Sequence, residues 1–433
     1  MLTRSAAMPA FIILAACSGG GGGGASAPVA ASPTPTPSPT ASPSPTPSPT
    51  PAVAAASGTA VGIGPMLGIM FWNFAQRQFD LATGTDLQGR FGPNVTPYAE
   101  MSAGRDAIPG RPPIEGNGID AATGLPISLS APYGASVVSP ISTLIHRVGD
   151  EAKVRRFLGL AGSDDDAIDL LNFNPTARLG DSNPGVARNA ARLMALNVRI
   201  LALQRAVLEN YFQDPWVPIV ETIKAESAPS LVDIGFARTV FRYHPANVLA
   251  PDYEAILVDT YQKFASIIPA EIDSVDTARS YMLLLAFYVR PTAFQNGRGA
   301  SPAELDVIRN YTAADMRAWL AIVATTPRTV PDSALILAAP DFREIYAGGN
   351  PVIANPLEND PLPFVTGVAP KIEAVSLDPA QAANIEVSIT PDGITVKPKT
   401  RNWKGFAYFD YRIRYLDRSW TSRVYVRLGG VDL

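Results

Sequence analysis

The sequence predicts a mixed α+β chain of several domains, with a mainly α-helical central domain and a small β domain at the C-terminus. Three observations predict it. Apolar residues recur at three- and four-residue spacing over about residues 139–347, punctuated by Pro and Gly. After Pro370 the spacing changes to strict alternation. Before residue 60 the chain is so rich in Gly, Ser, Thr and Pro that it cannot bury a core. Length agrees: roughly 370 residues follow that tail, more than one domain of ordinary size.

The chain opens on Met1-Leu2-Thr3-Arg4, runs through an apolar stretch and reaches Leu14-Ala15-Ala16-Cys17. A charged start, a short apolar stretch and small residues before a cleavage point mark a secretory signal. The stretch is about half the ~20 residues that a bilayer-spanning helix needs, and it contains Pro9. Residues 1–16 therefore read as a removable signal peptide. Leu14-Ala15-Ala16-Cys17 resembles the lipobox of bacterial lipoproteins. That resemblance implies that Cys17 is acylated and becomes the mature N-terminus. With neutral Ser18 next, it also implies sorting to the bacterial outer membrane. A single acyl chain binds a bilayer only marginally, and the diacylglyceryl group and third chain of that family make the anchor permanent. Cys17 is the chain's one cysteine, so the lipidated protein keeps no thiol for a disulfide.

Residues 17–59 read as a stalk. Six consecutive glycines at 19–24 carry the highest backbone entropy of any residue type. Residues 32–51 alternate Ser or Thr with Pro, which favours polyproline II and a reach of roughly 60 Å. Residues 60–362 read as the mainly helical domain, behind a Gly/Pro-rich lead-in over 61–132 that the pattern does not assign. Ser139-Pro140 reads as an N-cap followed by proline at the first helical position. The longest helix is expected over 186–212, where Leu193, Leu196, Ile200, Leu203, Val207 and Leu208 share a face with arginines between them. Further helices are expected over 251–268, 275–289 and 301–323, the last opened by a capping box at Ser301-Pro302-Ala303-Glu304.

Two motifs in this region carry a resemblance. Ala131-Pro132-Tyr133-Gly134-Ala135-Ser136-Val137-Val138-Ser139-Pro140 and Asp169-Leu170-Leu171-Asn172-Phe173-Asn174-Pro175 resemble segments that recur in large bacterial surface proteins. Asn174 stands where those proteins usually have aspartate. The resemblance implies cell-surface placement, in a family with no established enzyme activity.

In the β domain, residues 385–389 alternate, 391–393 turn and 394–396 return as a hairpin partner. Ala407, Phe409, Tyr411, Ile413 and Tyr415 then share one strand face, with Tyr408, Asp410, Arg412 and Arg414 on the other. A turn at 416–419 leads to a last strand with Trp420, Val424, Val426 and Leu428 toward the core. The order of these segments resembles the cadherin-like, immunoglobulin-type repeats of bacterial adhesins. It implies a β-sandwich over 363–433.

The candidate sites are few. Arg412, Arg414, Arg423 and Arg427, with Tyr408 and Tyr425 between them, are expected on the outward hairpin face. Such a face can grip an anionic polysaccharide or lipopolysaccharide, or it can be a solvated face whose charges prevent sheet-edge association. Asp164, Asp165, Asp166 and Asp169 lack the glycine turn and distal Glu of a calcium loop, and read as a helix start favoured by the dipole. Asp80 and Asp86 around Gly84 read the same way. His146 and His244 are the only histidines, lie far apart and belong to no zinc or triad pattern. Phosphate-binding and nucleophile-elbow motifs are absent in the required context. We therefore expect no catalytic residues, no metal and no cofactor. A net charge of −4 gives no case for nucleic acid.

The reading that follows is a lipid-anchored cell-envelope protein with a binding or structural role. Its expected partners are the membrane, through the anchor, and a surface polysaccharide or another envelope protein. Two alternatives stay open: a polysaccharide-acting enzyme with a cleft in the helical domain, and an accessory subunit of a secretion or adhesin system.

Overall fold

The computed structural model describes residues 56–67, 71–73, 78–80, 85–86, 88–95, 99–101, 118–125, 127–132, 135–162, 167–210, 214–243, 251–293, 309–328, 341–346, 352–354, 356–357, 370–400, 403, 405–415 and 417–429. Cys17, the Ser/Thr/Pro tract, Asp164 to Asp166 and His244 lie outside the described residues. The fold is mixed α+β, as expected.

The lead-in that the pattern left unassigned is a set of short strands. They are β1 (Ala56–Ala60), β2 (Met66–Leu67), β3 (Phe71–Asn73), β4 (Gln78–Asp80), β5 (Arg90–Val95), β6 (Ala99–Met101), β7 (Ile119–Asp120), β8 (Leu129–Ser130) and β9 (Val137–Val138). They pair as β5-β1-β9, β2-β7 and β4-β3-β6-β8. The residues 56–59, read from sequence as stalk, are the start of β1. Strands this short gain little from their own ladders, and a buried carboxylate ties the segment after β1 to the turn after β7. Asp120 accepts from the backbone N–H of Ile63 (2.6 Å), Gly64 (2.9 Å), Ala122 (3.0 Å) and Thr123 (2.9 Å), and from Thr123 Oγ1 (3.0 Å). Burial pushes its carboxyl above the usual range while these donors pull the other way. Glycine is required beside it, because a Cβ on Gly62 would sit 2.4 Å from the Asp120 carboxylate. One on Gly58 would sit 2.0 Å from the Ser136 carbonyl.

The helices follow: α1 (Pro140–Val148), α2 (Glu151–Leu158), α3 (Pro175–Arg178), α4 (Pro184–Asn210), α5 (Trp216–Ala225), α6 (Ile234–Arg242), α7 (Pro251–Ile267), α8 (Val275–Ala293) and α9 (Ala313–Ala324). Ser139 caps α1 as its sequence predicts, its Oγ accepting from Ser142 N while Ser142 Oγ accepts from Ser139 N. α4 is the axle of the bundle. Beyond the expected face, Met194, Ala195, Val198, Leu201, Ala202 and Ala206 are also buried, so neighbours surround it. Its Arg199 leaves this apolar surround by donating to the Ile268 carbonyl at the end of α7 (2.6 Å), where cationic groups suit the helix dipole. Asn197 stays inside with both amide atoms unpartnered, a cost of about 1–3 kcal/mol that the apolar burial around it offsets.

The helix expected over 301–323 differs. Residues 310–312 are not helical, and Thr312 starts α9 with its own capping box to Asp315. The box at Ser301 and Glu304 lies outside the described residues. Among the described residues no helix is long and apolar enough to cross a membrane.

The C-terminal β unit comprises β10 (Asp341–Tyr346), β11 (Val352–Ala354), β12 (Lys371–Ser376), the short helix α10 (Pro379–Ala382), β13 (Ile385–Thr390), β14 (Gly393–Pro398), β15 (Gly405–Tyr415) and β16 (Arg418–Gly429). Its sheets run β10-β16-β15-β12 and β11-β14-β13. β10 and β11 precede residue 363, the expected start of this unit, and each supplies a strand to one sheet. The hairpin over 385–396 forms with Thr390 opposite Gly393, as its Pro391-Asp392 turn predicts. β15 and β16 pair with Tyr415 opposite Arg418, a tighter turn than the expected 416–419. The expected inward set Ala407, Phe409, Tyr411, Ile413 and Tyr415 is buried against Ile385, Ile394, Val396, Val424 and Val426.

Candidate functional site

The arginine and tyrosine side chains singled out from sequence sit on β15 and β16, whose continuous antiparallel register fixes their neighbours. Alternation puts Tyr408, Asp410, Arg412 and Arg414 on the face away from the β-unit core, as expected. That face is not all solvent. α9 covers one half of it, and the structure thereby corrects two positions: Arg423 is 5 % exposed and Tyr425 is 1 % exposed.

The covered half is a junction. The Phe406 ring meets Tyr311 and Trp319, each with centroids 5.3 Å apart. Tyr425 belongs to the same apolar cluster as Met316 and Val323 of α9. Arg423 lies over the Tyr408 ring, 4.2 Å from its centroid. Its guanidinium forks onto Asp410, directly opposite in register, with Nε–Oδ1 2.6 Å and Nη2–Oδ2 3.1 Å. Nη1 then donates to Thr325 Oγ1 (2.9 Å) and to the Ile322 carbonyl (3.3 Å). Burial alone would pull this guanidinium down, and the Asp410 carboxylate more than restores it. The Tyr425 hydroxyl hydrogen-bonds Thr326 Oγ1, and burial raises its phenol above the ordinary tyrosine value.

A second arginine, which sequence reasoning passed over, closes the same end of α9. Arg279 of α8 donates to the carbonyls of Thr326 (3.0 Å) and Pro327 (2.7 Å), and through Nε to Ala122 (2.8 Å). It thus joins α8, α9 and the turn that Asp120 holds. Its signal was legible: it opens the apolar run of residues 281–289 as a lone cation facing inward. The Ile322 carbonyl in the last turn of α9, and the Thr326 and Pro327 carbonyls just beyond it, thus accept from arginines of a strand and a helix.

The other half of the face is open. Side chains of Arg412 and Arg414 are 54 % and 60 % exposed, and both reach Glu373 of β12, at 3.1 Å and 3.4 Å. Ser419 Oγ donates to the same carboxylate at 3.2 Å. Arg427 pairs through its backbone with Phe406, and its side chain lies outside the described residues. The structure therefore splits the expected set in two, with Arg423, Tyr425 and Tyr408 in the junction and Arg412 with Arg414 in solvent.

The two sequence motifs at 131–140 and 169–175 also find their chemistry. Asn172 Oδ1 accepts from Ser136 N (3.0 Å) and Ser136 Oγ (2.7 Å), and the Leu171 carbonyl accepts from Val137 N (2.9 Å). Asn174 caps α3 and donates to Thr59 Oγ1 at 3.0 Å. The motifs latch to each other and to β1. Asp169, expected in a helix start, instead accepts from Leu171 N (3.1 Å) and Asn172 Nδ2 (2.8 Å) to shape this turn. Asp86 likewise closes a turn onto Gln88 and Arg90. Among the described residues no group of three or more His, Cys, Asp or Glu side chains could hold a metal ion. No protein-family model matches the chain, and no curated protein matches it.

Proposed function

We propose that this chain is a lipid-anchored protein of the bacterial outer membrane, holding a helical body and a β-sandwich at the cell envelope in a binding or structural role. The observation that carries the reading is Leu14-Ala15-Ala16-Cys17 followed by Ser18, six glycines at 19–24 and a Ser/Thr/Pro tract over 32–51. A short apolar stretch ending in a single cysteine and a segment unable to pack is what an acylated, tethered protein requires. The motif likeness to large surface proteins points the same way.

An immunoglobulin-type sandwich is supported by strand order. In chain order the seven strands of the β unit divide so that the first, third, sixth and seventh share one sheet and the second, fourth and fifth share the other. Immunoglobulin-type domains likewise put the second, fourth and fifth strands in one sheet and the third, sixth and seventh in the other. The first strand differs, since β10 joins the second of these groups in parallel with β16.

Mass spectrometry of protein recovered from membranes tests the anchor. The expected species begins at an acylated Cys17, and the Cys17→Ser variant leaves the membrane fraction. An unmodified Cys17 in that fraction, or a variant that stays with it, overturns the reading.

A further inference from the structure

The open half of the β-unit face has a layout of its own. Lys371, Arg414 and Ser419 lie opposite one another in a row across β12, β15 and β16, and Arg412 lies opposite Thr421 in the next row. Rows two residues apart are about 6.6 Å from each other, and strands about 4.8 Å. Three cations and two hydroxyls thus share a small patch around the carboxylate of Glu373, which sits where β12 bulges between Ile372 and Ala374. The register of β15 with β16 is continuous, so the patch is held in place before any ligand arrives.

We propose that this half-face binds an acidic polysaccharide, whose sugar carboxylates are taken by the guanidiniums of Arg412 and Arg414. The proposal deepens the binding role above by naming its site and ligand class. A guanidinium fork matches a carboxylate in two hydrogen bonds, and exposed hydroxyls of Ser419 and Thr421 suit sugar oxygens. Glu373 partly neutralises the empty site and competes with the incoming acid. A chain is favoured over a flat anionic membrane because α9 stands on the same face beside Asp410. A helix is about 10 Å across, so a plane meets α9 before it meets the sheet, whereas an extended polymer fits along the step.

The test is affinity electrophoresis of the full chain in detergent, through gels containing polygalacturonate, with neutral dextran as control. Polygalacturonate is expected to retard the protein, less so as salt rises, and dextran is not. The double variant Arg412→Ser with Arg414→Ser is expected to lose about tenfold or more in affinity, with its melting temperature kept. Glu373→Gln is expected to bind a few-fold tighter, since it removes the competing charge. Equal retardation of the double variant, weaker binding by Glu373→Gln, or capture by anionic phospholipid vesicles but not by polygalacturonate overturns the proposal. Binding in detergent does not require Cys17, so a failed anchor shows in membrane fractionation and leaves this result intact.

Discussion

Tyr425 shows what one buried hydroxyl does to the chain's response to pH. Burial raises the pKa of its phenol, against the downward pull of Thr326 and the Arg423 guanidinium beside it. In the unfolded chain a tyrosine ionises near pH ~10. The raised folded value means that its contribution is complete below that point and is lost as pH climbs through the folded value. Tyr261 and Tyr281 are raised by burial too, so Tyr425 supplies only a share of the alkaline loss. Tyr425→Phe is expected to cost about 1 kcal/mol at neutral pH, through the lost bond to Thr326, and to shallow the fall in stability above pH ~10. Urea melts at neutral pH and near pH ~11 would read both numbers. An alkaline fall as steep as in the parent chain would show that the Tyr425 proton is not involved.

At the scale of elements, α9 decides how the β hairpin is read. Two arginines on one sheet face, Arg412 of β15 and Arg423 of β16, meet opposite fates because a helix end lies over one of them. Arg423→Ala would leave Asp410 without its fork and open a gap over Tyr408, at a cost of about 3 kcal/mol. Arg412→Ala removes a half-solvated ion pair and should cost under about 1 kcal/mol. Chemical denaturation of the two variants measures this contrast, and similar losses would mean that α9 does not seal the face. Alternation at residues 407–415 told which side chains share a face, yet no pattern within a strand names what covers it. Asp410 opposite Arg423 could have been found from the hairpin register once the turn was known to be tight. α1, α7 and α8 were legible because caps and long apolar periodicity act locally. The lead-in strands were not, because they are two to six residues long and are held by the Asp120 carboxylate and by close approaches at Gly58 and Gly62, which leave no periodic trace.

For the whole molecule, one apolar cluster runs from Ala60 and Phe91 through the helices to Tyr425 of β16. Residues Val53–Leu433 form a single compact unit. The β unit shares that cluster with the helical body, and the two are expected to unfold together because parting them would expose it. Far-ultraviolet dichroism, which follows the helices, should trace the same urea curve as fluorescence of Trp403 and Trp420 in a variant with the other tryptophans replaced by phenylalanine. Separate midpoints would make the β unit an independent domain. The parallel pairing of β10 with β16 gives this architecture a mechanical property. Six residue pairs, Asp341 with Val424 through Tyr346 with Gly429, hold the strand that enters the unit beside the strand that leaves it. A pull between the start of β10 and the end of β16 would act along that ladder in shear, straining its hydrogen bonds together. Antiparallel hairpin strands pulled from their open end would instead unzip, each pair breaking before the next is loaded.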